Sequence, residues 1–327
     1  MLPPEVRNEG VMTATLGTAL LAAGNKVTLN LDNGSLLGYS IDQGAINALA
    51  ENKQLIKADG GQVLLSAKAM DALTTATVNN TGIIEARTIQ NKAGRIMLMG
   101  DMEHGTVNVG GTLDASAPTG GNGGFIETSA AHVKVATGTK VTALAANGKT
   151  GKWLIDPNDF NVAASGGDIT GATLSASLGN ADVELQSFNG STTLGNGDIN
   201  VNDAVSWSAN TLTLTAWRNV NINAVMTASG TSALALNPDA NNIQGRVTQG
   251  VVKMGLNSSG FLSINGINYQ VINALGAAGS TTGYDLQGMA SGGNYALGSD
   301  IDASATAGWN GGAGFRPLNI SSNGMAE

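Results

Sequence analysis

The sequence predicts an all-β chain wound as a parallel β-helix, and three observations carry that expectation. A motif ending in apolar-x-Ala recurs every 28 or 29 residues through 50–143. Glycine is abundant, 46 of 327 residues, while Asp, Glu, Lys and Arg together make up only 12%, about half the usual share. Short stretches alternate apolar and polar side chains, as half-buried strands do.

The motif appears as VRNEGVMTA (6–14), AENKQLIKA (50–58), VNNTGIIEA (78–86), VNVGGTLDA (107–115) and VATGTKVTA (135–143), with a later echo in VNINAVMTA (220–228). Between these lie GGQVLLSA (60–67), AGRIMLMG (93–100), GGFIETSA (123–130) and GKWLID (151–156), each a glycine turn followed by a short strand. A fixed period of this length marks a solenoid, because one repeat cannot bury its apolar face but stacked repeats can. Alternation puts Ile84 and Ala86 inward with Glu85 outward, and Leu113 and Ala115 inward with Asp114 outward. Stacking then aligns Ile84, Leu113 and Val141 in one interior column, and Val63, Ile96 and Ile126 in another. Helical spacing is confined to DQGAINALAENK (42–53), read as one short helix at a corner. Residues 1–156 form the regular repeats.

The regular part ends in GKWLIDPNDFNV (151–162). Asp156-Pro157-Asn158-Asp159 has the composition of a type I turn, with the Asp156 side chain bonding backbone two residues on and Pro157 fixing φ. A calcium site built from Asp156, Asn158 and Asp159 competes with this, but calcium loops supply more carboxylates at alternating spacing. The stretch is therefore expected to be a corner, and no metal is expected. Residues 157–327 read as an irregular continuation, with strands at VELQS (183–187), INVND (199–203), LTLTAW (212–217), LALN (234–237), FLSINGINYQVI (261–272) and YALGSDIDA (295–303). Asparagine-rich NVNINA (219–224) suits stacked polar side chains.

Composition excludes several functions. The net charge is −8 and no run of Lys or Arg occurs, so no nucleic-acid partner is expected. There is no cysteine, which removes disulfides, thiolate metal sites and cysteine nucleophiles. The apolar run at 16–23 falls far short of the ~20 residues that span a bilayer, and residues 1–10 lack the pattern of a signal peptide. No catalytic residue and no cofactor is expected. His104 follows Asp101 and Glu103 in GDMEHG, a glycine-bracketed turn read as solvated rather than catalytic, and His132, beside a strand, is read as exposed or packed locally. The 16 Lys and Arg residues do not align at the repeat spacing, and Lys134 with Asp114 on a neighbouring rung is a lone pair. Asn33, Asn79, Asn189, Asn257 and Asn319 stand in Asn-x-Ser/Thr triplets and are candidate glycosylation acceptors. Trp207, Trp217 and Tyr269 are read as core or cap residues.

Taken together, VRNEGVMTA, ADGGQVLLSAKAMDAL, VNNTGIIEA, VNVGGTLDASAPTGGNGGFIETSAAHVKV, GKTGKWLIDPNDFNV and NYALGSDIDASATAGWNGGAGF resemble the filamentous-haemagglutinin-like exoproteins, with the high-molecular-weight adhesins among them. The resemblance covers nearly the whole chain, and the GGFIETSA and WLIDPNDF phrases carry most of it. It implies a right-handed parallel β-helix, export through an outer-membrane two-partner-secretion transporter, and residence at the bacterial surface or outside the cell. It implies attachment to a host glycan or protein receptor, and no enzymatic activity. The family's secretion domain does not precede residue 6, so the chain reads as an internal segment downstream of it. The competing expectation is a β-helical carbohydrate-active enzyme, a polysaccharide lyase or hydrolase, which would align Asp, Lys and Arg across rungs.

Overall fold

A strand with one dry face must stack against others to keep it dry, so alternation along these short segments leads directly to sheets. The computed structural model describes residues 4–32, 35–187, 195–238, 247–248, 252–255 and 259–316. The chain is mostly strand, and its ladders are almost all parallel. The first round consists of β1 (Glu5–Asn8), β2 (Val11–Thr13) and β3 (Thr18–Ala23). A hairpin of β4 (Lys26–Asp32) and β5 (Ser35–Gln43) precedes the second round, β6 (Ala48–Asn52), β7 (Leu55–Lys57) and β8 (Gln62–Ala67). The third round is β9 (Ala76–Asn80), β10 (Ile83–Glu85) and β11 (Arg95–Met99). The fourth is β12 (Gly105–Val109), β13 (Thr112–Asp114) and β14 (Phe125–Ser129), and the fifth is β15 (His132–Val135), β16 (Lys140–Thr142) and β17 (Lys152–Asp156). Every round gives one strand to each of three sheets in the same order. Sheet A holds β1, β6, β9, β12 and β15; sheet B holds β2, β7, β10, β13 and β16; sheet C begins with β3, β8, β11, β14 and β17.

The register is the one the repeat dictates. Ile84 faces Leu113 and Leu113 faces Val141, while Ile96 lies between Val63 and Ile126. All six are buried, so both expected columns are present. Ala86 and Ala115 are buried beside them, with Glu85 and Asp114 more exposed. The run at 42–53 is strand rather than helix: it holds the end of β5 and all of β6, separated by Asn47 in the left-handed region (φ 52°). Pairing of β6 with β1 on one side and β9 on the other outweighs its local helical spacing.

Two devices set the spacing of the rounds. Where sheet A passes to sheet B, Asn8 Nδ2 donates to Asn52 Oδ1 and Asn52 Nδ2 to Asn80 Oδ1, both at 2.8 Å, and Asn80 Nδ2 donates to the Gly110 carbonyl at 2.7 Å. Ahead of sheet C, Gly94, Gly124 and Gly151 sit in successive rounds. A Cβ at Gly124 would stand 2.2 Å from the Gly94 carbonyl oxygen, and one at Gly151 would stand 2.0 Å from that of Gly124. The glycine turn of the second motif is thus a demand for close approach of backbones.

Sheets A and B stop at β15 and β16. After β18 (Phe160–Val162) comes an eight-residue helix, α1 (Gly171–Leu178), which the sequence pattern does not predict. Its N-cap, Thr170, accepts from the Thr173 N–H at 3.1 Å, a signal masked by glycine at the first helical position. Then come β19 (Asp182–Gln186), β20 (Ile199–Val201), β21 (Val205–Trp207) and β22 (Thr211–Thr215). Next are β23 (Val220–Ile222), β24 (Met226–Ala228), β25 (Ala233–Asn237), β26 (Val247–Thr248), β27 (Val252–Met254), β28 (Ser259–Ile264), β29 (Ile267–Ile272) and β30 (Tyr295–Leu297). New sheets form from β18-β20-β23-β26 and from β21-β24-β27, while sheet C runs on through β19, β22, β25, β28, β29 and β30. Spacing here varies: Asn200 and Asn221 are 21 residues apart, Asp182 and Thr211 are 29 apart. The expected polar stacks are present, since Asn221 Nδ2 donates to Asn200 Oδ1 (2.9 Å) and Asn223 Nδ2 to Asn202 Oδ1 (2.7 Å). FLSINGINYQVI folds as the antiparallel hairpin β28–β29, turning through Asn265 (φ 49°) and Gly266 (φ 75°) as a primed turn requires.

Candidate functional site

The corner at Asp156 is where expectation and structure part most instructively. β17 ends at Asp156 and β18 starts at Phe160, with Trp153 and Phe160 fully buried on either side. The chain does turn here, but the local side-chain bond expected of Asp156 is absent. Its Oδ1 is buried without a hydrogen-bond partner. The reason is the ladder: Asp156 is the last residue of β17, in register with Ser129, so its side chain stays on the outer face of sheet C. Backbone bonds to the preceding round hold the corner instead, from Ala130 N–H to the Asp156 carbonyl and from Asn158 N–H to the Ala131 carbonyl, both 3.3 Å. Asp159 ties the corner to the segment entering β20, its Oδ1 accepting from Asn196 N–H (3.0 Å) and Asp198 N–H (2.8 Å).

On that outer face Glu127, Leu154 and Glu184 share one column, and Ser129 and Asp156 share the next. Ser129 Oγ donates to Glu127 Oε1 (3.0 Å), and Lys152 Nζ meets Glu184 Oε2 at 2.8 Å. Burial, reinforced by the Glu127 and Glu184 carboxylates, pushes the Asp156 carboxyl up to about 6. A carboxyl poised there can give or take a proton near neutrality. The same shift sets a stability test. A raised pKa means the fold prefers the protonated form, so the stability this group contributes is fully present below the unfolded value near 3.9 and is lost as pH rises through about 6. Asp156→Asn is expected to be more stable than the parent at pH 7 by about 2 kcal/mol and to equal it near pH 4. Melting curves across that range check this, and a parent-to-variant difference that does not change with pH contradicts it.

A second cluster lies on the outer face of sheet B, where Lys57, Glu85 and Asp114 are in register. Arg87 Nη2 lies 3.1 Å from Asp59 Oδ2 and 3.0 Å from Glu85 Oε2, and Lys57 Nζ lies 3.4 Å and 3.5 Å from the same two oxygens. Burial would raise Asp59, but the Arg87 guanidinium and backbone N–H hold it below its usual range. The row holds one cation, Lys57, beside two carboxylates, so Lys and Arg do not align with one another here; what it brings together is opposite charge. The signal was present in the sequence, because Lys57, Glu85 and Asp114 each occupy the middle position of apolar-x-Ala.

The remaining candidates are dispersed. Lys134 pairs with Asp168 (2.6 Å), not with Asp114, whose Oδ1 accepts from Ser116 N–H; Lys134 belongs to sheet A and Asp114 to sheet B. The His104 N–H donates to Asp101 Oδ1 in a turn, and His132 is the exposed first residue of β15. Asn79 stands inside β9, its amide donating to Glu51 Oε1 (2.7 Å). Asn33, Asn189, Asn257 and Asn319 lie outside the described residues. Trp207 is buried, while Tyr269 packs half-buried against the core and Trp217 is half-buried. Among the described residues no three His, Asp or Glu side chains converge as a metal site, and no helix is long and apolar enough to cross a membrane. Compared with protein-family models and with curated proteins, the chain matches none.

Proposed function

We propose that this chain is a segment of a right-handed parallel β-helix belonging to a filamentous-haemagglutinin-type surface exoprotein, and that it serves attachment to host cells or surfaces. The observation that supports this most is the cyclic order of sheets A, B and C over five rounds with the same columns facing inward. A chain wound in that order can add one round at a time, each templated by the last. That suits passage as an unfolded thread through an outer-membrane two-partner-secretion transporter, and a chain without cysteine forms no disulfide to obstruct the passage. The rod sets its corner loops away from the cell that bears it, at the surface or in secreted form, where a glycan or protein receptor can reach them. Beads coated with the purified chain are expected to bind epithelial cells or a glycan array saturably, and beads coated with heat-denatured chain are not. Equal binding by both would remove the attachment role.

A carbohydrate-active enzyme is the second reading, favoured by the near-neutral Asp156 carboxyl beside Glu127 and Glu184 and by the Lys57–Glu85–Asp114 row. Under that reading, incubation with polysaccharides releases new chain ends and Asp156→Asn stops the release. Under the adhesive reading, parent and variant release none.

A further inference from the structure

The bond between Asp156 and Pro157, at the end of β17, is the one Asp–Pro linkage in the sequence. Such a bond is weaker than other peptide bonds for two chemical reasons. Proline's amide nitrogen is tertiary and more easily protonated, and the aspartyl carboxyl can close a five-membered ring on its own carbonyl carbon. The fold adds three features to that intrinsic weakness. First, the Asp156 carbonyl accepts the Ala130 N–H at 3.3 Å, so a donor already stands where negative charge would develop on that oxygen. Second, Asp156 Oδ1 is buried with no hydrogen-bond partner among the described residues, so it has no bond to surrender before it attacks. Third, the backbone is clamped on both sides of the bond. Asp156 is held in β17, and past buried Pro157 the Asn158 N–H donates to the Ala131 carbonyl at 3.3 Å and Asn158 Nδ2 to the Met102 carbonyl at 3.4 Å. A clamped backbone removes rotations that an unfolded chain must lose before it reacts.

The charged groups that act on Asp156 from the strands on either side are Glu127 of β14 and Glu184 of β19, the latter paired with Lys152. Partial burial beside these carboxylates lets the Asp156 carboxyl keep its proton up to about 6, so the proton that a departing amine needs is at hand.

We propose that the chain cleaves itself between Asp156 and Pro157, with the Asp156 carboxyl as nucleophile and the Ala130 N–H as donor to the developing oxyanion. Oδ1 bonds to the Asp156 carbonyl carbon as the π pair of that carbonyl moves onto its oxygen, and the carboxyl proton passes to the Pro157 nitrogen. Collapse restores the carbonyl and breaks the C–N bond, which releases Pro157 as a secondary amine and leaves Asp156 as a cyclic anhydride. Water reaches half-buried Asp156 from the outer face of sheet C, adds to the anhydride and opens it to two carboxyls. One water is consumed, and nothing is oxidised or reduced. The cut separates the regular rounds from the irregular continuation, while pairing of β17 with β19 keeps both pieces in one sheet.

The purified chain, folded and held at about pH 6, is expected to yield one fragment ending at Asp156 and one beginning at Pro157, read by intact mass spectrometry. The same chain unfolded in urea at that pH is expected to cleave at least about tenfold more slowly. In water enriched in heavy oxygen, label is expected in either carboxyl of Asp156, because water can open the anhydride at both carbonyls. A contaminating protease would label the α-carboxyl alone. Asp156→Ala, which removes an unpaired carboxyl, is expected to fold and stay whole. Absence of fragments from the folded chain, or equal rates folded and unfolded, overturns the proposal without recourse to any variant. Label confined to the α-carboxyl, or fragments from Asp156→Ala at the parental rate, overturns it as well.

Discussion

Asn52→Ala is expected to lower stability by about 4 kcal/mol, read as a fall in the urea midpoint. Asn52 is fully buried and makes two side-chain bonds in the ladder, accepting from Asn8 and donating to Asn80. It also reaches the Gln54 carbonyl at 3.1 Å. Truncation leaves the Asn8 amide and the Asn80 carbonyl oxygen buried without these partners, and each such orphan costs about 1–3 kcal/mol. A control separates this cause from lost packing. Val109 and Val135 already fill the same column in the fourth and fifth rounds. Replacing Asn8, Asn52 and Asn80 together by valine is therefore expected to cost less than the sum of three single changes. A triple variant as costly as that sum would show that the ladder bonds are not what the column depends on.

The next largest effect is expected at Gly124. A Cβ there meets the Gly94 carbonyl oxygen at 2.2 Å and the Ala115 carbonyl oxygen at 3.0 Å, both backbone atoms that no side-chain rotation can move. Gly124→Ala should cost about 3 kcal/mol, at the upper end of overpacking penalties. Gly10→Ala, at a position with nothing within 4 Å, should cost no more than an ordinary surface change. Equal melting temperatures for the two variants would mean the rounds are not as closely spaced ahead of sheet C as described.

Much of the fold is legible in the sequence, for a physical reason. The interior columns follow from alternation plus a fixed period, and in a stacked ladder those two facts determine which side chain meets which. Ile84, Leu113 and Val141 can be aligned on that basis alone. Two of the misreadings concern places where a neighbouring round overrides a local preference. DQGAINALAENK has helical spacing, yet strands on both sides claim its second half. Asp156 has the local chemistry of a turn residue, yet the ladder holds its side chain on an outer face among carboxylates. Helix α1 is invisible because its eight residues, GATLSASL, begin with glycine and carry no charge at either end. The charge row on sheet B escapes notice because a search for aligned Lys and Arg passes over a column that joins one cation, Lys57, to the carboxylates Glu85 and Asp114.

The central claim is that each round contributes one rung to sheet C and that this sheet continues unbroken past α1. The absence of native cysteine makes disulfide mapping a clean test. Glu127, Leu154 and Glu184 occupy one outward column in three successive strands, two before the helix and one after it. Adjacent rungs lie about 4.8 Å apart, within the span a disulfide bridges, whereas two rungs lie about 9.6 Å apart, beyond it. The chains carrying Glu127→Cys with Leu154→Cys, and Leu154→Cys with Glu184→Cys, are expected to cross-link under mild oxidation, and the chain carrying Glu127→Cys with Glu184→Cys is expected to stay reduced. Cross-linking of that last pair, or failure of the Leu154–Glu184 pair under the same conditions, would contradict the stacking of rounds on which the account rests.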